Sequence, residues 1–191
     1  MGLILASASP YRRELLGRLK LPFTVEVSGV DEGRLEGENP EALVLRLARE
    51  KAWAVAVRHP RELVIGSDQV AELEGEILGK PGEIAVALGQ LERASGRVVT
   101  FLTGLALVQA ESGREQAEVV PYRVHFRRLD RERLRRYLER EPSLDCAGSI
   151  RSEGLASALF TRLEGDDPTA LMGLPLIRLT AMLEREGVMP F

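Results

Sequence analysis

The amino-acid sequence predicts an α/β fold built around one long hairpin. Three observations carry that expectation. Short apolar or β-branched runs recur along the chain, at Leu3-Ile4-Leu5, Leu63 to Gly66 and Arg97 to Ala110. Helical segments alternate with them, two of them opened by a cap residue followed by proline, Ser9-Pro10 and Asn39-Pro40. Glu111-Ser112-Gly113 is a turn between two long extended segments. The 191 residues suffice for one domain with a sizeable core, taken as residues 1–191 with two lobes around a cleft.

Leu3 to Leu5 suits a buried strand, and the small residues Ala6 to Ser9 lead to Pro10. The helix that follows has Leu15, Leu16 and Leu19 on one side and Arg12 and Arg13 in its first turn. Phe23 to Ser28 alternates and reads as a strand. Asn39 opens a helix to about Val57, with an apolar face that includes Leu43, Leu47, Ala54 and Val57 and with Lys51 on the polar side. Leu63 to Gly66 is a short strand ending at Ser67-Asp68-Gln69, and Val70 to Leu73 continues extended. A turn at Glu74 to Glu76 leads to Ile77 to Pro81, then a helix from about Glu83 to Ala94 with Gly96 as its stop. Arg97 to Ala110 is a central strand, and Glu118 to Phe126 returns beside it, with Pro121 marking an edge or a bulge. Asp130 caps a charged helix that ends at Pro142. Leu155 to Leu163 reads as a strand, Glu164 to Thr169 as an acidic turn, and Leu174-Pro175 opens a final amphipathic helix closed by Gly187.

Composition narrows the function classes. A net charge of −3 disfavours general nucleic-acid binding, and acids interleave the arginines of RERLRRYLERE, which reads as a solvated, ion-paired face. No apolar run approaches the ~20 residues of a membrane span, and the N-terminal residues lack the basic stretch of a secretory signal. One cysteine, Cys146, suits a reducing compartment, so the expected location is cytoplasmic. With only His59 and His125, a histidine zinc site is disfavoured, and any metal would be a hard cation held by carboxylates.

Several residues could carry chemistry. At the start of the first helix, open backbone N–H groups, the positive end of the helix dipole and the guanidinium groups of Arg12 and Arg13 converge. That is an anion site, or an ordinary turn with two surface arginines. Asp68 follows an apolar strand, where functional groups collect in α/β proteins, although Ser-Asp also suits a turn. Only three of the 26 basic residues are lysines, so Lys51 and Lys80 stand out as positions where a compact ammonium is wanted. Asp31 and Glu32 form an acidic pair that could hold a divalent cation with Asp68 or be solvated. Glu153 could read a base edge or pair with an arginine.

The segments SASPYRRELL, IGSDQV, ILGKP, VVTFLTGLAL, CAGSIRSEG and LEGDDPTALMGLPL together resemble, in order and over essentially the whole chain, the Maf-family nucleoside triphosphate pyrophosphatases. The resemblance implies a fold similar to the inosine triphosphate pyrophosphatases, a central mixed sheet with flanking helices and a nucleotide cleft between two lobes. It implies metal-dependent cleavage of a nucleoside triphosphate to the monophosphate and pyrophosphate, with Mg²⁺, Mn²⁺ or Co²⁺ as cofactor. Ser67-Asp68-Gln69 and Ile150 to Gly154 are similar to the subfamily acting on 7-methyl-GTP, and its substrate-selecting positions map to Tyr11, Gln69 and Glu153. That subfamily often has tryptophan where this chain has Tyr11.

The base chemistry agrees. N7-methylguanine is cationic and stacks on an aromatic face, and a carboxylate can accept from its N1–H and N2 amino group. A pyrimidine would turn a carbonyl oxygen toward that carboxylate. The resulting expectation has Asp68 as the base or a metal ligand, with Glu32 as second metal ligand. Ser7, Arg12, Arg13, Lys51 and Lys80 hold phosphates, and Tyr11, Gln69 and Glu153 select the base. The alternatives are a dTTP/UTP pyrophosphatase and a nucleotide-binding regulator of septum formation with little turnover. Expected partners are the nucleotide and a second copy in a homodimer, with no nucleic acid and no membrane.

Overall fold

The structure, a computed structural model, describes residues 2–191. Among the described residues, five α-helices and seven strands follow in the order β1 (Leu3–Leu5), α1 (Pro10–Gly17), β2 (Thr24–Val25), α2 (Pro40–Ala56), β3 (Leu63–Leu73), β4 (Glu76–Leu78), α3 (Ile84–Ala94), β5 (Val98–Gln109), β6 (Arg114–Phe126), α4 (Arg131–Arg140), β7 (Phe160–Glu164) and α5 (Leu176–Arg185). The strands pair in the order β2-β1-β3-β5-β6-β7, with β4 on β3. β1 is parallel to both β2 and β3, whereas β4 and β7 run antiparallel to their partners, so the sheet is mixed. The α/β class expected from the sequence is the class observed.

The chain divides into two compact units. The first comprises Met1–Gln69, Thr103–Val120 and Asp167–Phe191. Its strands alternate between two apolar layers, as the period of two in a strand requires. Leu3, Leu5, Leu63, Ile65, Leu105 and Leu107 join Leu15 and Leu16 of α1 and Leu179, Met182 and Leu183 of α5. Ile4, Val64, Ala106 and Val108 face the other way, onto Ala48, Ala52, Val55 and Ala56 of α2. Two glycines let α2 lie close. A Cβ at Gly66 would stand 2.0 Å from the carbonyl oxygen of Ala48, and one at Gly104 2.1 Å from that of Val44.

The second unit comprises Val70–Leu102 and Pro121–Asp166. Within it β4 pairs with the end of β3, Ala71 opposite Leu78, and β7 pairs with the end of β6, Arg123 opposite Glu164. That register begins beyond Pro121, which therefore sits where its missing N–H leaves no β7 partner wanting. The rings of Phe126 and Phe160 meet edge to face, with centroids 5.3 Å apart.

The helix caps follow the sequence reading. Ser9 Oγ accepts from Arg12 N, Asn39 Oδ1 from Ala42 N and Asp130 Oδ1 from Arg133 N, and Gly187 closes the chain's last helix in the left-handed region at φ 74°. Other expectations are corrected. Phe23 to Ser28 contains only the two strand residues of β2, and Leu155–Leu159 is a 3-10 turn that precedes β7. Leu63–Leu73 is one unbroken strand, so Asp68 lies inside β3 and not past its end. Strand pairing on a buried layer outweighs the turn preference of Ser-Asp. Val57 is exposed, and the buried stripe of α2 runs Leu43, Val44, Leu47, Ala48, Lys51, Ala52, Val55, Ala56. Lys51 is in that stripe and not on the polar side. Among the described residues, no helix is long and apolar enough to cross a membrane.

Candidate active site

The alternation that sorts the core of the first unit also sorts its polar residues. Asp68 has the parity of Val64 and Gly66 and so faces α2, while Ser67 and Gln69 share the parity of Leu63 and Ile65 and face the layer of α1 and α5.

On the α2 face the close approach at Gly66 brings in the next turn of the helix, which carries Lys51. Lys51 is 5% exposed and Asp68 8% exposed. Lys51 Nζ donates to Asp68 Oδ1 at 2.7 Å and is paired with Glu32 Oε1 at 2.6 Å. A buried charge is tolerated only when paired, and here one cation serves two carboxylates. The loop that bears Glu32 is fastened to α2. Arg46 donates to both carboxylate oxygens of Glu38, at 2.7 and 2.9 Å, and to the carbonyl of Gly33 at 2.9 Å. That contact pushes the Glu38 carboxyl down to about 2.

On the opposite face Ser67 Oγ and Arg12 Nε donate to one acceptor, the carbonyl of Gly173, at 2.9 and 2.8 Å. Gly173 holds φ at 97°, in the left-handed region that favours glycine. Burial lowers the pKa of the half-buried Arg12 guanidinium, while the charges of Asp68 and Glu32 pull it upward. Arg12 is thus electrostatically coupled to the carboxylates of the α2 face. Its charge is retained, since arginine does not deprotonate in proteins.

Ser7 is buried at the end of β1, and its Oγ accepts from Ser9 N at 3.1 Å, which shapes the turn into α1. Tyr11 is half-buried on the first turn of α1. Arg13 is exposed and lines an open cavity of about 570 Å³ with Leu21, Phe23 and Val25. The first unit therefore holds Arg12, Lys51, Asp68 and Glu32, with Tyr11 and Arg13 on the helix of Arg12, Gln69 on the strand of Asp68, and Ser7 in the turn that leads from β1 to α1. Gln69 is spent differently from expectation. Its Nε2 donates to Thr103 Oγ1 and to the carbonyls of Ala170 and Leu171, so its amide hydrogens serve the protein backbone.

Lys80 and Glu153 belong to the second unit. Lys80 is exposed after β4. Glu153 accepts from Ser152 Oγ at 3.1 Å and from Arg151 Nε at 3.4 Å, the arginine pairing that the sequence left open. Asp31 is exposed, and its Oδ1 accepts from Gly33 N at 2.9 Å.

Sequence reasoning missed Asp167, Thr169, Gly173, Ser67 and Thr103. Asp167 is fully buried. Its Oδ1 accepts from Thr169 N and Oγ1, and its Oδ2 from Ile177 N and Arg178 N at the start of α5. Thr169 Oγ1 in turn accepts from Leu176 N at 2.7 Å. These bonds satisfy N-terminal helix donors from outside the helix. The Asp-Pro-Thr order was a readable cap signal for Thr169 N, but the second target, Ile177 N, lies ten residues on.

Among the described residues, no group of three or more His, Cys, Asp or Glu side chains is placed to hold a metal. Asp68 and Glu32 do bring carboxylate oxygens to within 2.6–2.7 Å of one cation, the Lys51 ammonium. Two carboxylates completed by water and substrate phosphates is a donor set that suits Mg²⁺.

The family profile described as "Maf-like protein" matches residues 2–186. The chain belongs to the Maf family. This Maf protein is 59% identical over 186 residues, 97% of each chain, to a Pseudomonas aeruginosa protein named 7-methyl-GTP pyrophosphatase. A protein of the same name from Alkalilimnicola ehrlichii is also 59% identical, over 93% of this chain and 89% of that one. Among solved structures, the Staphylococcus aureus Ham1 protein aligns with 66% of this Maf chain and 72% of its own, at 16% identity and a TM-score of 0.46.

Proposed function

We propose that this Maf protein hydrolyses 7-methyl-GTP to 7-methyl-GMP and pyrophosphate. The observation that carries the reading is the 59% identity, across 97% of both chains, with a relative of that name. The paired Lys51, Asp68 and Glu32, whose carboxylates also act electrostatically on Arg12, support the hydrolytic part, since triphosphate cleavage needs a base and fixed cations.

In the proposed reaction a water oxygen attacks the α-phosphorus in line. The bond from that phosphorus to the β,γ-diphosphate breaks, and pyrophosphate leaves. Asp68 takes the water proton or holds the metal. Arg12, Arg13, Lys51 and Lys80 neutralise the triphosphate and the charge that develops on pyrophosphate. Ser7, with its hydroxyl proton available beyond the bond from Ser9 N, donates to a phosphate oxygen. Lys51 offsets Asp68 and Glu32, so that two carboxylates can stand beside a polyanion.

A divalent cation, Mg²⁺, Mn²⁺ or Co²⁺, would be held by Asp68 and Glu32 and would supply charge neutralisation at the phosphates. Tyr11 stacks on the cationic base, more weakly than tryptophan would, and Glu153 accepts from its N1–H and N2 amino group. Gln69 keeps only its carbonyl oxygen for the base, because its amide is bound to backbone. A cytoplasmic location and a homodimer complete the reading.

The deciding experiment is pyrophosphate release by the full chain over a nucleotide panel with each of the three metals and with EDTA. Highest kcat/KM for 7-methyl-GTP supports the proposal. Preference for dTTP or UTP identifies a pyrimidine pyrophosphatase, and binding without turnover identifies a regulator of septum formation; either result overturns it.

A further inference from the structure

The loop between β7 and α5 holds a turn that the reaction scheme does not explain. Pro168–Met172 is one short 3-10 segment, and Gly173 follows it in the left-handed region. Such backbone has few regular partners, and side chains supply the rest. The Ala170 carbonyl accepts from Thr103 Oγ1 at 2.9 Å and from Gln69 Nε2 at 2.7 Å. The Gly173 carbonyl accepts from Ser67 Oγ and from Arg12 Nε. Ser67 and Thr103 are both fully buried, so water does not compete for these bonds.

Ser67 and Gln69 come from β3, and Thr103 from β5, its neighbour in the sheet. All three project from one face of a rigid sheet onto one turn, and that turn presents the carbonyl against which Arg12 is set. We propose that Ser67 and Thr103, together with the amide of Gln69, are positioning residues that orient Arg12 through the Ala170–Gly173 turn. The proposal rests on the reading that Arg12 binds the triphosphate.

The test uses inorganic triphosphate in EDTA, with affinity measured by calorimetry on the full-length chain. No base and no turnover enter the readout, so a wrong nucleobase assignment leaves it intact. Ser67→Ala, which removes one buried hydrogen bond, and Thr103→Val, which removes two, are each expected to weaken binding about fivefold or more. Thr103→Ser, which keeps the hydroxyl, is expected to bind within twofold of the parent. In an Arg12→Ala background Ser67→Ala and Thr103→Val are expected to change affinity by less than about twofold, since the residue they act through is gone.

The same fivefold loss in both backgrounds would mark a general structural role and overturn the proposal, as would no loss in the parent. No binding by the parent, or unchanged binding by Arg12→Ala, overturns the phosphate role of Arg12 and the proposal with it. Circular dichroism confirms folding first, and whichever of Ser67→Ala and Thr103→Val folds carries the cycle alone.

Discussion

Asp68 and Glu32 share one buried ammonium, and this sets what single substitutions do in the candidate active site of this Maf protein. Asp68→Asn keeps the shape and a donor-acceptor pair beside Lys51 but removes the carboxylate proposed as base or metal ligand. Turnover of 7-methyl-GTP is expected to be lost while nucleotide affinity, measured by calorimetry, stays within a few-fold. Persistent turnover would remove Asp68 from its role. Lys51→Met leaves two carboxylates without their cation, one of them largely buried. Loss of about 3 kcal/mol in urea unfolding is expected, together with a fall in kcat of about a hundredfold or more. Glu153→Gln replaces an acceptor with an amide that also donates. Selectivity for 7-methyl-GTP over UTP, read as a ratio of kcat/KM, is expected to narrow; an unchanged ratio would count against base reading by Glu153.

At the scale of elements, the position of α2 depends on two glycines. Alanine at Gly66 or Gly104 would drive a methyl group into helix backbone that cannot yield as a side chain would. Each substitution is expected to destabilise by about 2–3 kcal/mol in denaturant unfolding. Gly66→Ala should also lower kcat more than Gly104→Ala, because it displaces the helical turn next to Lys51.

The loop that bears Glu32 is held to α2 by Glu38 and Arg46, and that contact carries a pH signature. The Glu38 carboxyl titrates at about 2 in the folded chain and at about 4.3 in an unfolded one. A lowered folded-state value means the unfolded chain binds the proton first as pH falls. The contact's stabilisation is thus complete above about pH 5 and is lost progressively toward pH 2. Urea midpoints across that window should fall less steeply in Glu38→Gln than in the parent.

For the whole molecule, the two compact units share three continuous strands, β3, β5 and β6. A chain joined through sheet strands is expected to unfold in one transition. Fluorescence of Trp53, the single tryptophan, reports on the first unit, and far-ultraviolet dichroism reports on all helices. The two curves should coincide in urea; separated midpoints would show units that melt independently.

Much of this was legible along the chain because it rests on local chemistry. Cap-and-proline pairs set the starts of α1 and α2, apolar runs marked β1 and β5, and the motif order carried the family. Even the burial of Lys51 was readable, four residues after Leu47 and three after Ala48 on the buried stripe of α2. Contacts between distant segments were not readable in this way. Tertiary structure alone decided that β3 runs on through Asp68, because strand pairing outweighs a local turn preference. It also decided that Lys51 serves Asp68 and Glu32, which lie 17 and 19 positions away, and that Gln69 spends its amide on a turn a hundred residues later. A hydrogen bond or a buried charge chooses its partner by distance in space, and a sequence lists only the candidates.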